Sequence, residues 1–317
     1  MKILITRRMT DAAEAQLSAR FDATFLPDSQ GLTEAEAAQA LADYDGIIPT
    51  LGDGFRAGAF SAGPLRCKIL ANFGAGYNHI DTGAAKAAGV IVTNTPDVVT
   101  ESTADIALTL ILMTARRAGE GERMLRAGNW TGWQPTQMLG RQVSGKTVGI
   151  IGMGRIGKAI ARRCHYGFGM RVVFHNRSLV SALDFPAEQI ESLHEMLHQS
   201  DFAVLAVPGG AHTRHLISTP ELERLGASSY LINIARGDVV DEAALIAALA
   251  DRRIAGAGLD VYEREPLVPD ALKAFENVTL LPHLGTAVEE ARTAMARRAM
   301  DNLVAFDEGN AIPDRVA

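Results

Sequence analysis

The sequence predicts an α/β protein of two doubly wound parallel-sheet units, the first of them discontinuous. Three observations carry this. Short β-branched runs alternate with Ala-rich amphipathic stretches, the βαβα order of a parallel sheet covered on both faces. A second alternating block opens after an irregular segment rich in Gly, Trp, Pro and Gln, Gly128 to Gly145. The chain has 317 residues, the length of two domains at roughly 150 residues each.

In the first block, strands are predicted at Lys2–Thr6, Phe21–Leu26, Gly46–Pro49, Leu65–Ala71 and Val90–Thr93. A helix opens at Thr10-Asp11, with Thr10 as N-cap, and another spans Thr33–Ala42. Pro96-Asp97 breaks the chain, and one long helix is expected from Thr100 to Arg126. The second block begins at Lys146. Its strand candidates are Thr147–Gly152, Arg171–His175, Phe202–Val207, Tyr230–Ile234, Gly256–Leu259 and Val278–Leu281. Nearly all are apolar throughout, as central parallel strands are. Thr286 to Asp307 reads as a closing helix that returns to the first unit. The expected partition is residues 1–97 plus 288–317 for one domain and 98–287 for the other.

Composition narrows the function. Apolar residues make up 47%, enough for packed cores. The formal charge of −6 and the lack of a Lys/Arg block argue against a nucleic-acid partner, and no apolar run reaches the roughly 20 residues of a membrane span. Two cysteines, Cys67 and Cys164, exclude a disulfide framework. No signal peptide is legible, so the expectation is a cytoplasmic protein acting on a small molecule.

The second block starts with Gly152-Met153-Gly154-Arg155-Ile156-Gly157, a G-x-G-x-x-G run between a strand and a helix. Gly152 permits the tight turn, Gly154 lets a pyrophosphate approach, and Gly157 lets helix and strand pack closely. The helix-start amides at Arg155 and Ile156 then hold phosphate. This makes the second unit a Rossmann-type dinucleotide-binding domain. The following strand ends in Asn176-Arg177-Ser178, without the carboxylate that binds the ribose 2′-hydroxyl of NAD. An arginine and a serine there suit a 2′-phosphate, so NADP(H) is expected in preference to NAD(H), with NAD(H) possible.

His194-Glu195-Met196-Leu197-His198 matches the zinc-hydrolase pattern H-E-x-x-H. It lies inside the nucleotide-binding unit with no clear third ligand downstream. Leu193, Met196 and Leu197 read as its core-facing positions, so a metallohydrolase is rejected. His212 and His215 read as polar loop residues. His283 differs: it follows an apolar strand, where ligands bind in open α/β sheets, and is a candidate acid/base.

Gly152–Gly157 joins three further segments: Asn233-Ile234-Ala235-Arg236-Gly237-Asp238-Val239-Val240-Asp241, Gly258-Leu259-Asp260-Val261-Tyr262-Glu263-Arg264-Glu265-Pro266 and Pro282-His283-Leu284-Gly285-Thr286. In this order and spacing the chain resembles the D-isomer-specific 2-hydroxyacid dehydrogenases over essentially its whole length. Phe73-Gly74-Ala75-Gly76-Tyr77-Asn78-His79-Ile80-Asp81 resembles that family's substrate loop.

The resemblance places the catalytic trio on Arg236, Glu265 and His283. His283 would protonate the alkoxide left by hydride addition to a 2-oxo acid. Glu265 would stabilise the imidazolium, and Arg236 would hold the substrate with its fork. It also places the substrate carboxylate on amides near Ala75 and Gly76. Asp260 and the Ala235 carbonyl would face the nicotinamide carboxamide, with Thr103, His283 and Gly285 close to that ring. Val207, Pro208 and Thr213 would line the adenosine side. One departure is Thr103-Ala104-Asp105, where the family more often has Glu third.

Glu265 in place of Gln argues against formate dehydrogenase, and from the length no C-terminal regulatory domain of the kind that long phosphoglycerate dehydrogenases carry is expected. Asn129-Trp130-Thr131-Gly132-Trp133-Gln134-Pro135 resembles the glyoxylate/hydroxypyruvate reductases. That implies a homodimer with Trp133 reaching the partner's substrate pocket and Trp130 anchoring the arm in the core. The alternatives are an NAD-dependent dehydrogenase of another 2-hydroxy acid and an NAD(H)-sensing co-repressor of the same fold.

Overall fold

The computed structural model describes residues 1–27 and 30–317, which divide into two compact units, Met1–Val99 with Thr286–Ala317, and Thr100–Gly285.

In the first unit the strands are β1 (Lys2–Ile5), β2 (Asp22–Phe25), β3 (Gly46–Ile48), β4 (Ile69–Ala71) and β5 (Ile91–Thr93), and the helices are α1 (Asp11–Arg20), α2 (Glu34–Asp43), α3 (Ala57–Ser61) and α4 (Thr82–Ala87). The strands form one parallel sheet in the order β2-β1-β3-β4-β5. Thr33 caps α2 in a reciprocal box with Glu36. Thr10 stands at the N-cap of α1, but its hydroxyl bonds Thr293 at 2.9 Å, so the expected side-chain cap is not made. The strand expected over 65–71 keeps only its last three residues. Before it, the Arg66 and Cys67 amides both donate to the Leu41 carbonyl, which removes them from the ladder.

The second unit continues with α5 (Thr100–Ala115), α6 (Ala118–Arg126), β6 (Thr147–Ile151), α7 (Arg155–Phe168), β7 (Arg171–His175), β8 (Glu188–Gln189), α8 (Leu193–His198), β9 (Phe202–Leu205), α9 (Thr219–Leu225), β10 (Tyr230–Asn233), α10 (Glu242–Ala250), β11 (Gly256–Leu259), α11 (Asp270–Ala274) and β12 (Val278–Leu280). The last helix, α12 (Glu289–Asp307), belongs to the first unit. It begins three residues later than the sequence suggests. Seven parallel strands run β12-β11-β10-β9-β6-β7-β8, and the strand order reverses beside β6. β8, with two residues, has too short a run to be read from sequence.

The single long helix expected over 100–126 is two helices. The Arg141 amide donates to the Ala115 carbonyl at 2.8 Å, closing α5, and Arg117 then turns left-handed at φ 54°. One face of α5, including Ala107, Leu110, Ile111 and Ala115, is buried in the core that covers the second sheet. β11 tolerates this approach because it carries glycine. A Cβ on Gly258 would stand 3.0 Å from that of Leu110. No helix among the described residues is long and apolar enough to cross a membrane.

The chain's last residues close the first sheet's edge. The Val316 amide donates to the Val92 carbonyl at 2.8 Å, and Arg315 bridges antiparallel to Thr93. Asp314, buried, holds this tail through Arg298 at 2.7 Å and Asn302 at 3.0 Å.

Candidate active site

β6 ends at the reversal of strand order, where open α/β sheets bind ligands beyond the carboxyl ends of their strands. The glycine run follows it directly. Gly152 has φ 97°, and a Cβ there would meet the Ala206 carbonyl and Val207 Cγ1 at 2.8 Å. A Cβ on Gly157 would lie 2.1 Å from the Gly152 carbonyl oxygen, so helix and turn pack without room for a side chain. Above Gly154, by contrast, nothing lies within 4 Å. α7 starts without a side-chain cap and without an acidic residue in its first turn. An open approach to an uncapped helix start fits a dinucleotide pyrophosphate. Bound there, the nicotinamide cofactor supplies the hydride.

The turn after β7 is ordered by its asparagine. Asn176 Oδ1 accepts from the Met153 amide at 3.2 Å, and its Nδ2 donates to the Ser178 carbonyl at 2.9 Å and to Ser178 Oγ at 3.3 Å. Arg177 is exposed and forms no ion pair among the described residues. Across the neighbouring loop, Thr213 Oγ1 donates to the Pro208 carbonyl at 2.7 Å.

Arg236, Glu265 and His283 stand beyond the carboxyl ends of adjacent strands, β10, β11 and β12. His283 Nδ1 lies 2.8 Å from Glu265 Oε2, and the other oxygen, Oε1, accepts from the Tyr262 amide at 3.0 Å. His283 Nε2 has no protein partner among the described residues. Burial pushes the Glu265 carboxyl up, but His283, the Tyr262 amide and Arg236 together outweigh burial and hold it below the usual glutamate range. Burial also draws the Arg236 guanidinium below the usual arginine range, against the pull of Glu265 and Asp238. Arg236 Nη1 donates to the Ala235 carbonyl at 2.6 Å. Asn233 pins this turn, accepting from the Ala235 amide and donating to the Arg236 carbonyl.

His283 itself sits left-handed at φ 55°. Asp260 enforces that conformation. Its oxygens accept from the Leu284 amide at 2.6 Å and the Gly285 amide at 2.8 Å, while its carbonyl accepts from the His283 amide. Asp260 is 1% exposed, and burial raises its carboxyl above the usual range. The two groups expected against the nicotinamide carboxamide, Asp260 and the Ala235 carbonyl, thus already hold protein partners. Thr103, buried, donates to the Gly285 carbonyl at 3.2 Å. Asp105, the departure from the family pattern, pairs with Arg163 of α7 at 2.9 Å.

In the first unit, the loop after β4 carries Ala75 and Gly76, whose amides donate to no acceptor among the described residues. Trp133 is 79% exposed. Trp130 is 52% exposed, with its Nε1 donating to Gln137 Oε1 at 3.3 Å, so within one chain it is no core anchor, contrary to expectation. The His194–His198 run forms α8. Met196 and Leu197 are buried, Leu193 only partly, and His194 Nε2 is tied to Glu221 at 2.8 Å. A cavity of about 710 Å³ opens at the opposite, amino-terminal edge of β10 to β12, lined by Arg117, Arg141, Tyr230 and Val278, and holds none of the expected site residues.

The family model for the D-isomer specific 2-hydroxyacid dehydrogenase NAD binding domain matches residues 108–285. A glyoxylate reductase of Thermococcus kodakarensis is 41% identical over 320 residues, covering 99% of this chain and 96% of that protein. A solved protein of Thermus thermophilus superposes with a TM-score of 0.92 at 37% identity, covering all of both chains. An NADPH-dependent glyoxylate/hydroxypyruvate reductase of Sinorhizobium meliloti, solved with NADP and malonate, superposes with a TM-score of 0.88 at 38% identity, covering 99% of this chain and 96% of that one. The glycine turn, the aligned trio and these full-length likenesses agree: the chain belongs to the D-isomer specific 2-hydroxyacid dehydrogenases and is an NAD(P)-dependent oxidoreductase acting on CH–OH groups.

Proposed function

We propose that this chain is an NADPH-preferring reductase of small 2-oxo acids, glyoxylate and hydroxypyruvate among them, yielding D-2-hydroxy acids. The observation that carries the proposal is the His283–Glu265 contact of 2.8 Å with the far ring nitrogen left free. An imidazolium so held donates its Nε2 proton to the carbonyl oxygen as the carbonyl carbon takes up hydride, and the neutral ring remains paired to Glu265. Arg236, desolvated and cationic, binds and polarises the 2-oxo acid. The amides of Ala75 and Gly76 take its carboxylate. Residues 1–97 with 288–317 act as the substrate-binding domain and 98–287 as the dinucleotide-binding domain. In the latter, Gly152, Gly154, Arg155, Ile156 and Gly157 hold the pyrophosphate, and Asn176, Arg177 and Ser178 the 2′-phosphate. Support for NADPH comes from the exposed Arg177 and from the reductase of Sinorhizobium meliloti, which is NADPH-dependent.

The active form is a symmetric homodimer with Trp133 entering the partner's site. No residue of α6 is buried, and the large apolar side chains of Leu125, Trp133 and Leu139 are all more than 60% exposed, as expected of a segment that a second copy covers. An intact trio disfavours the co-repressor reading, because sensing NAD(H) requires no proton donor. A panel of 2-oxo acids assayed with NADPH and with NADH tests the proposal. Turnover of glyoxylate or hydroxypyruvate with lower KM for NADPH is expected, and no turnover of either acid would overturn it.

A further inference from the structure

The substrate loop is shaped by two asparagines that no motif singled out. We propose that Asn72 and Asn94 are positioning residues that turn three successive amides of the loop outward to bind the carboxylate of the 2-oxo acid. The inference rests on the proposed carboxylate site at Ala75 and Gly76.

The geometry is a clamp on carbonyls. Asn72 Nδ2 donates to the Gly74 carbonyl at 2.9 Å and to the Gly76 carbonyl at 3.1 Å. Asn94 Nδ2 donates to the Ala75 carbonyl at 2.8 Å. The Thr95 amide adds a second bond to Gly74 at 3.0 Å. Every carbonyl from 74 to 76 is therefore held by a side-chain amide. In a trans peptide the N–H points opposite to the C=O of the same plane. The amides of Ala75, Gly76 and Tyr77 must then face the other way, and none donates to an acceptor among the described residues. Consecutive amides converging on one side make an anion-binding concavity.

Asn72 is a costly way to hold a loop for its own sake. It is fully buried, and its Oδ1 has no hydrogen-bond partner among the described residues, nor do the buried hydroxyls of Thr93 and Thr95. An orphaned buried acceptor destabilises a fold. Rotating the amide gives no relief, because Oδ1 would then oppose two carbonyls. The orientation is set by the loop it holds. Both asparagines stand one residue past a strand, after β4 and β5, so the clamp is anchored to the sheet.

The test is the pair Asn94→Ala and Asn72→Ala, read by glyoxylate KM, by inhibition with oxalate, and by NADPH affinity. Asn94→Ala is expected to raise the KM for glyoxylate and the Ki for oxalate by about 10-fold or more, the effect of losing one restrained hydrogen bond. kcat and the Kd of NADPH should stay within about 2-fold, since the second unit is untouched. Asn72→Ala frees two carbonyls and should do more. If it fails to fold, Asn94→Ala decides alone, because Asn94 is only partly buried. Unchanged KM and Ki in Asn94→Ala, with the unaltered enzyme reducing glyoxylate and binding oxalate, would overturn this inference and leave the proposed function standing. So would a loss shared equally by glyoxylate, oxalate and NADPH, which marks general damage. An unaltered enzyme that neither reduces a 2-oxo acid nor binds oxalate would remove the carboxylate site and this inference together.

Discussion

Replacing Glu265 with Gln exchanges one oxygen for an NH2 group and removes one charge. The carboxylate accepts twice, at Oε2 from His283 Nδ1 and at Oε1 from the Tyr262 amide. A glutamine has one acceptor and one NH2 donor. If its oxygen serves the Tyr262 amide, its NH2 faces Nδ1, which must then be an acceptor. The imidazolium, with a proton on each nitrogen, is disfavoured, and the neutral ring is left with its proton on Nε2. That tautomer is a poor acid for reduction and offers no base for oxidation. If the amide rotates, its NH2 opposes the Tyr262 N–H. Either way one charge-assisted hydrogen bond of about 1.5–3 kcal/mol is lost, or roughly 10- to 150-fold in kcat/KM. Steady-state reduction of glyoxylate with NADPH at pH 7 measures it. NADPH affinity should be unchanged. Activity within about 3-fold of the unaltered enzyme in both directions would refute the pairing argument, and activity surviving in His283→Ala would refute the proton donor itself.

If Arg177 binds the 2′-phosphate as proposed, Arg177→Ala should cost NADPH about 2–4 kcal/mol, some 30- to 1000-fold in kcat/KM, while sparing NADH, because the exposed side chain would lose only those bonds. Equal losses with both cofactors would contradict this. Trp133→Ala should raise the KM for the 2-oxo acid about 10-fold in a protein that still sediments as a dimer, and a fully active monomer at micromolar concentration would end the dimer proposal. Glu265 also links stability to pH. Its carboxyl is held below the ordinary value of 4.5, so the stabilisation is complete above that value and is lost as pH falls through the lowered one. Thermal melts should therefore separate Glu265→Gln from the unaltered protein at pH 7 and bring them together in acid. Glu242 runs the other way. Burial, then repulsion from Glu263 and Glu265, raises its carboxyl, so Glu242→Gln should melt higher at pH 7, and a lower melting temperature would show that its bond to the Glu263 amide outweighs the repulsion.

Strands were legible wherever an apolar run was long and central. Arg171–His175 and Gly256–Leu259 fall on the residues predicted. The break in the helix over 100–126 was not, because it depends on Arg141 returning to cap Ala115, a contact across the whole arm. Pattern alone also could not separate Met196 and Leu197, which are core residues, from a metal-site helix. The positions of Arg236, Glu265 and His283 came from motif resemblance, while the role of Asp260 in bracing the His283 turn did not. Nothing in a sequence tells a carboxylate that faces outward from one enclosed by two amides. Asn72, Asn94 and Asn233 share a signal that could have been used: each stands at or just past the carboxyl end of a strand, where a polar side chain has backbone to hold.

The bond from Thr103 to the Gly285 carbonyl joins the two ends of the second unit. From the standpoint of chain assembly, that bond turns a long insertion into a short one. The first unit must bring β1 and α12 together across the whole of Thr100–Gly285. With that stretch unfolded, closure costs roughly 3 kcal/mol more than for a loop of a few residues. Once the second unit has folded, its entry and exit are adjacent and the excess vanishes. Synthesis from the N-terminus therefore favours an order in which the contiguous unit folds first and the split unit closes around its ends. A chain in which a few-residue linker replaces Thr100–Gly285 should accordingly still form the five-stranded sheet.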